Sequence, residues 1–214
     1  MERKVSIVFD RKESGNMKIV VPDYEHSILN LMNSILKYYG AEYHYKPLSE
    51  AEEFLMVMDG MGSSILEQHL EKDSFLRQHM KNRITSVFPP TTVAATTTFD
   101  SGIAPAEHNW LGWTLYFPEV GDNVAVFTNR KEDGTVASEE FVSRKYQSYE
   151  KVGDKIRKAS PAKAYTVSIH LTNCFRECVT YAVKRNKIIS MPIGRSRIIR
   201  CMSAAVVLSR RKPG

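Results

Sequence analysis

The chain has 214 residues, 43% apolar, 10% aromatic and 25% charged, the balance of a globular domain rather than of a disordered chain. No apolar run approaches the ~20 residues that span a bilayer, and residues 5–9, followed at once by Asp10 and Arg11, are too short for a signal-peptide core, so a cytoplasmic protein with no membrane partner is expected. The formal charge is +6, yet nine Lys and Arg with no Asp or Glu lie from Tyr181 onward, leaving 21 basic against 24 acidic residues before it; that basic stretch lacks the interleaved aromatics of a nucleic-acid site, and no nucleic-acid partner is expected.

In chain order, residues 27–39 carry apolar side chains at Ile28, Leu29, Leu31, Met32, Ile35 and Leu36, which is helical spacing, and Gly40 closes the helix. Residues 54–58 form a short continuous apolar run ending at Asp59-Gly60, the pattern of a strand buried between helices. Residues 63–70 and 75–80 read as helices and 84–88 as a second short strand. After Pro89 and Pro90, residues 92–99 read as a helix ending at Gly102, despite its many Thr. Residues 164–169 are a further strand candidate, followed by a helix from Cys174 to about Val183. Strands alternating with helices, with no internal repeat and no low-complexity linker, predict one α/β domain with a layered sheet. It divides into an extension over 1–21, a folded body over 22–180 and a basic tail over 181–214.

Cys174, Cys178 and Cys201 are an odd number without paired spacing, which argues against a disulfide framework. His170, Cys174 and Cys178 are spaced four apart, but Asn173 reads as a helix N-cap, which leaves His170 outside the helix and disfavours a metal site there. Asp59, at the carboxyl end of a buried strand, stands where open α/β sheets keep ligands; the ordinary alternative is a turn dipeptide. Thr91 and Thr92 stand at a helix start, where free N–H groups and about half a positive charge favour a phosphate oxygen; the ordinary alternative is an N-cap.

Taken with residues 105–113, PAEHNWLGW, these segments resemble the alkaline phosphatase superfamily, and within it the type I phosphodiesterase and nucleotide pyrophosphatase branch. The resemblance rests on a strand ending in Asp59-Gly60, a Phe-Pro-x-x-Thr segment matched by Phe88, Pro89 and Thr92, and a Gly-x-x-Pro-x-x-His motif matched by Gly102, Pro105 and His108. It covers roughly residues 22–180. It implies an alkaline-phosphatase-like layered sheet flanked by helices, incomplete at its C-terminal end, and a metal-dependent phosphoester hydrolase acting on a small phosphoester or nucleotide. Thr92 resembles the nucleophile and also meets the metal; Asp59 resembles a metal ligand; His108 resembles a structural residue of its loop. Two divalent ions about 4 Å apart, zinc by resemblance, would lower the pKa of the Thr92 hydroxyl. Asn109 replaces the Gly that usually follows the motif His, and Trp113 falls where phosphodiesterases keep an Asn on a phosphate oxygen. The family draws further Asp and His ligands from its C-terminal half, whereas this chain has no Asp after Asp154 and no His after His170. An incomplete metal site is therefore expected, and the alternative function is a non-catalytic remnant or binding protein.

Two expectations concern the ends. Lys12-Glu13 can be encoded as AAGGAG, a ribosome-binding sequence just upstream of Met17, so translation is expected to begin at Met17; the alternative is an added strand over 5–9. Residues 188–202, read two nucleotides out of phase, can encode Tyr-Ile-Tyr-Ala-Tyr-Trp, then Glu-Pro-Asp and a His, which resembles the family's next strand and ligand pair. A frameshift upstream of Ile188 is the expected cause of the basic tail. Residues after about Tyr181 would then pack poorly, and the chain would be marginally stable and inactive.

Overall fold

The computed structural model describes residues 21–48, 55–58, 62–80, 82–162, 164–166, 188–190 and 204–207. Asp59, the helix predicted from Cys174, the residues before Val21 and most of the basic tail lie outside these residues.

Helix α1 (Ile28–Tyr38) forms where its apolar spacing predicts. At its start the Asn30 side chain accepts from the Ser27 N–H at 3.0 Å and from the Ser27 hydroxyl at 2.6 Å. At its end Ala41 N–H returns to the Leu36 carbonyl and Gly40 N–H to the Lys37 carbonyl, with Gly40 at φ +70°, the pairing that satisfies the last orphan carbonyls. Strand β1 (Leu55–Met58) follows, then the short helices α2 (Ser63–His69) and α3 (Phe75–Gln78). Residues 84–88 are not a strand. Thr85 makes a single parallel bridge to Ser27, because the chain at Ser27 turns into α1 and offers only one extended residue to pair with; Val87 is nonetheless fully buried.

Helix α4 (Thr92–Ser101) ends at Gly102, whose φ is +71°. A Cβ there would sit 2.9 Å from Leu36 Cδ1 and 3.2 Å from a Val152 methyl, so conformation and space both call for glycine. Helix α5 (Pro105–His108) comes next. Strands β2 (Thr114–Phe117), β3 (Asp122–Ala125) and β4 (Arg130–Lys131) then form an antiparallel meander, followed by helices α6 (Val142–Tyr146) and α7 (Val152–Ala159). Strand β5 (Ala164–Thr166) pairs in parallel with β6 (Ile188–Ser190), and β7 (Ala204–Val207) pairs antiparallel with β1, Leu55 opposite Val207. Strand β6 also runs beside β1. Two pieces of the region expected to form a loose tail are thus strands.

The architecture is mixed α/β, its sheet in three small pieces among the described residues. One core gathers Leu29, Met32, Ile35 and Leu36 of α1, Ala94, Ala95 and Phe99 of α4, Val152 and Ile156 of α7, and Leu55 and Ala164 from the strands. The second gathers Val93, Trp110, Phe117, Val124, Val126 and Val142 around the meander. Helix α4 belongs to both. Buried polar groups are paired at the joints. Asn33 donates to the Leu29 and Gly102 carbonyls and accepts from His44 and Tyr45 N–H, tying α1 to the end of α4. Asn129, at φ +55°, donates to the Ser138 and Glu140 carbonyls and accepts from Val142 N–H.

Candidate active site

The start of α4 divides its two threonines between two jobs. Thr91 is the N-cap: its Oγ1 accepts from Ala94 N–H at 3.1 Å and donates to the Leu111 carbonyl at 2.8 Å. Its own N–H goes to the Pro89 carbonyl at 2.8 Å. Thr92 is the first helical residue and half-buried. Its hydroxyl carries no hydrogen bond among the described residues, and neither the Thr92 nor the Val93 N–H has an acceptor there. Among the described residues, one hydroxyl and two amide donors thus stand open at the positive end of a ten-residue helix, where an anion is stabilised.

The loop that leads into α4 is held from the far side of the sequence. Phe88 N–H donates to the Tyr24 hydroxyl oxygen at 3.1 Å across 64 positions. Tyr24 carries no periodic signal, since it lies in the turn before α1, and nothing in the sequence links it to Phe88.

His108 is 2% exposed. Its Nδ1 accepts from Trp110 N–H at 3.0 Å, which leaves the proton on Nε2, 3.2 Å from the Thr98 hydroxyl in α4. Burial pushes its pKa down from 6.5 to about 4, because a cation in that pocket loses its water. The neutral imidazole is thus held between α4 and the loop that follows it. Pro105 opens α5 at a position where a missing N–H costs nothing. Asn109 follows His108 at φ +59°, in the left-handed region that glycine tolerates best and asparagine next best.

Trp113 is 58% exposed and pairs with Phe127, ring centroids 5.5 Å apart. Strand β1 ends one residue before Asp59, which lies outside the described residues, as do His170 and the three cysteines. Among the described residues no group of three or more His, Cys, Asp or Glu side chains could hold a metal ion; they supply Thr92 but not the donor set that a pair of ions needs. No helix of the described residues is long and apolar enough to cross a membrane. No protein-family model, curated protein or solved structure matches the chain.

Proposed function

We propose that the chain carries the nucleophile-bearing part of a phosphoester hydrolase of the alkaline phosphatase type, with Thr92 as nucleophile and Asp59 as a ligand of the activating metal. The observation that carries this reading is the division of labour at the start of α4. Thr91 takes the capping role, so the capping explanation does not account for Thr92, whose hydroxyl stands beside open N–H donors. In the reaction, Thr92 Oγ1 bonds to phosphorus while the bond to the leaving oxygen breaks and that oxygen takes up a proton. Water then displaces Oγ1 from phosphorus, and the threonine hydroxyl is restored. The two amides and the helix dipole hold the phosphate oxygens in both steps.

Incubating the full chain with bis-p-nitrophenyl phosphate and with p-nitrophenyl phosphate, with and without zinc, tests this. With an incomplete metal site the expected result is no sustained turnover but a slow, substoichiometric phosphoryl adduct on the peptide containing Thr92, absent from Thr92→Ala. A second reading, a protein that only binds phosphoesters, rests on the incomplete donor set among the described residues. It predicts saturable binding of the same esters and no adduct. Adduct formation in Thr92→Ala refutes the nucleophile assignment.

A further inference from the structure

The antiparallel meander, in the order β2-β3-β4, has two edges that differ in chemistry. At one of them β4 consists of Arg130 and Lys131, and Arg130 also bridges to Val136; charge and cover of this kind keep an edge from recruiting another strand. At the other, β2 is Thr-Leu-Tyr-Phe, and residues 109–118 hold no charged side chain. The Trp113 carbonyl receives Val126 N–H at 2.9 Å, and the register sets Leu115 opposite Val124 and Phe117 opposite Asp122. These are the bonded pairs of the ladder, so the N–H and C=O groups of Thr114 and Tyr116 turn to the outer edge. Among the described residues no strand meets them there. Thr114 and Tyr116 are exposed, Tyr116 to 61%, while Phe117 is buried in the second core and fixes the strand in place.

We propose that β2 is the interface of a homodimer, in which the β2 strands of two copies pair antiparallel about a two-fold axis through Leu115. With Leu115 on the axis, Thr114 of each copy lies opposite Tyr116 of the other, and each such pair exchanges both of its N–H···O=C bonds. Every open backbone group of the strand is then used. An axis through Tyr116 would set Thr114 against Pro118, which has no N–H to give; an axis through Thr114 would set Tyr116 against Gly112, outside the strand. A two-fold axis also brings the side chains beside it close to their own copies, which an uncharged stretch tolerates and a charged one does not. The occupant is a second copy rather than a free peptide for an entropic reason. Each residue of a free chain that is fixed as a strand costs about what one net hydrogen bond returns, whereas the β2 of a second copy is already extended and held by β3. The dimer continues the three-stranded sheet of one protomer into that of its partner.

Sedimentation equilibrium of the full chain over a concentration series tests this. A reversible dimer with a dissociation constant on the order of 10 μM is expected, because the interface is small. Two double variants test the register. In T114K/Y116K lysine faces lysine across the axis, and in T114E/Y116E glutamate faces glutamate; each alone should dimerise at least roughly tenfold more weakly than the native chain. Mixed in equal amounts at low salt, they set lysine against glutamate, and a heterodimer should form at least as tightly as the native dimer. Urea midpoints close to the native value verify that the variants fold. In the native chain itself, hydrogen exchange at the Thr114 and Tyr116 amides should slow as concentration rises. A native chain that stays monomeric to about 100 μM, exchange at these amides that ignores concentration, a dimer unaffected by both double variants, or variants that do not recover on mixing would each overturn the proposal.

Discussion

Acid should unfold this protein partly through His108. The imidazole is neutral in the folded chain, its pKa pushed down from 6.5 to about 4 by burial, whereas in the unfolded chain it titrates near 6.5. The unfolded state therefore binds a proton more readily between these values. The stability contributed by the neutral ring is complete above pH 6.5 and is lost as pH falls towards 4. The loss reaches about 2 kcal/mol at pH 5 and about 3 kcal/mol at pH 4, comparable to a large share of a domain's net stability. Its structural cause is specific. A proton on Nδ1 would meet the Trp110 N–H, which that nitrogen now accepts, so protonation replaces a hydrogen bond with two opposed donors. Urea denaturation followed by the combined fluorescence of Trp110 and Trp113 at pH 7, 6, 5 and 4.5, in the native sequence and in His108→Gln, isolates the effect from the carboxylates that titrate in the same range. The difference between the two curves should grow with acid in favour of the variant. NMR titration of the His108 ring should independently show no protonation at pH 5.5. Parallel stability curves, or a ring that titrates near 6.5, would refute the reasoning.

Thr91→Ala should destabilise the chain by about 1 kcal/mol through loss of the N-cap while leaving the adduct at Thr92 in place; Thr92→Ala should do the reverse, and differential denaturation with peptide mapping reads both. Gly102→Ala should cost about 2–3 kcal/mol, since it combines a positive φ with contact against Leu36, and a midpoint shift in urea measures it. Asn109→Gly should be nearly neutral and Asn109→Val should cost about 1–2 kcal/mol, because a β-branched residue strains the left-handed backbone; equal effects in thermal melts would sink that account.

Much of the α1–α4 frame was legible because it depends on local rules. The spacing of Ile28, Leu29, Met32, Ile35 and Leu36 and the glycines at 40 and 102 mark helix faces and ends that the structure keeps. The strand at 84–88 was misread because an apolar run reports burial, which Val87 has, and not the supply of a pairing partner, which the turn into α1 removes. The meander was missed altogether: Thr114–Phe117 and Asp122–Ala125 mix exposed and buried positions, so no clean alternation announces them. At the start of α4 the sequence marks both Thr91 and Thr92, and only the fold shows that Thr91 caps the helix while its hydroxyl donates to the Leu111 carbonyl, 20 positions away. Tyr24 reaches the loop before α4 only through the fold, and it has no sequence signal.

Helix α4 turns Val93 into one core and Ala94, Ala95 and Phe99 into the other. Neither cluster can melt without stripping contacts from the helix that the other also needs, so the free energies of opening the two regions are linked and the body should behave as one cooperative unit. A loss anywhere in the meander, far from α1, is then felt at the first turn of α4. Damage to either core would lower the stability of the first turn of α4 together with that of the whole body.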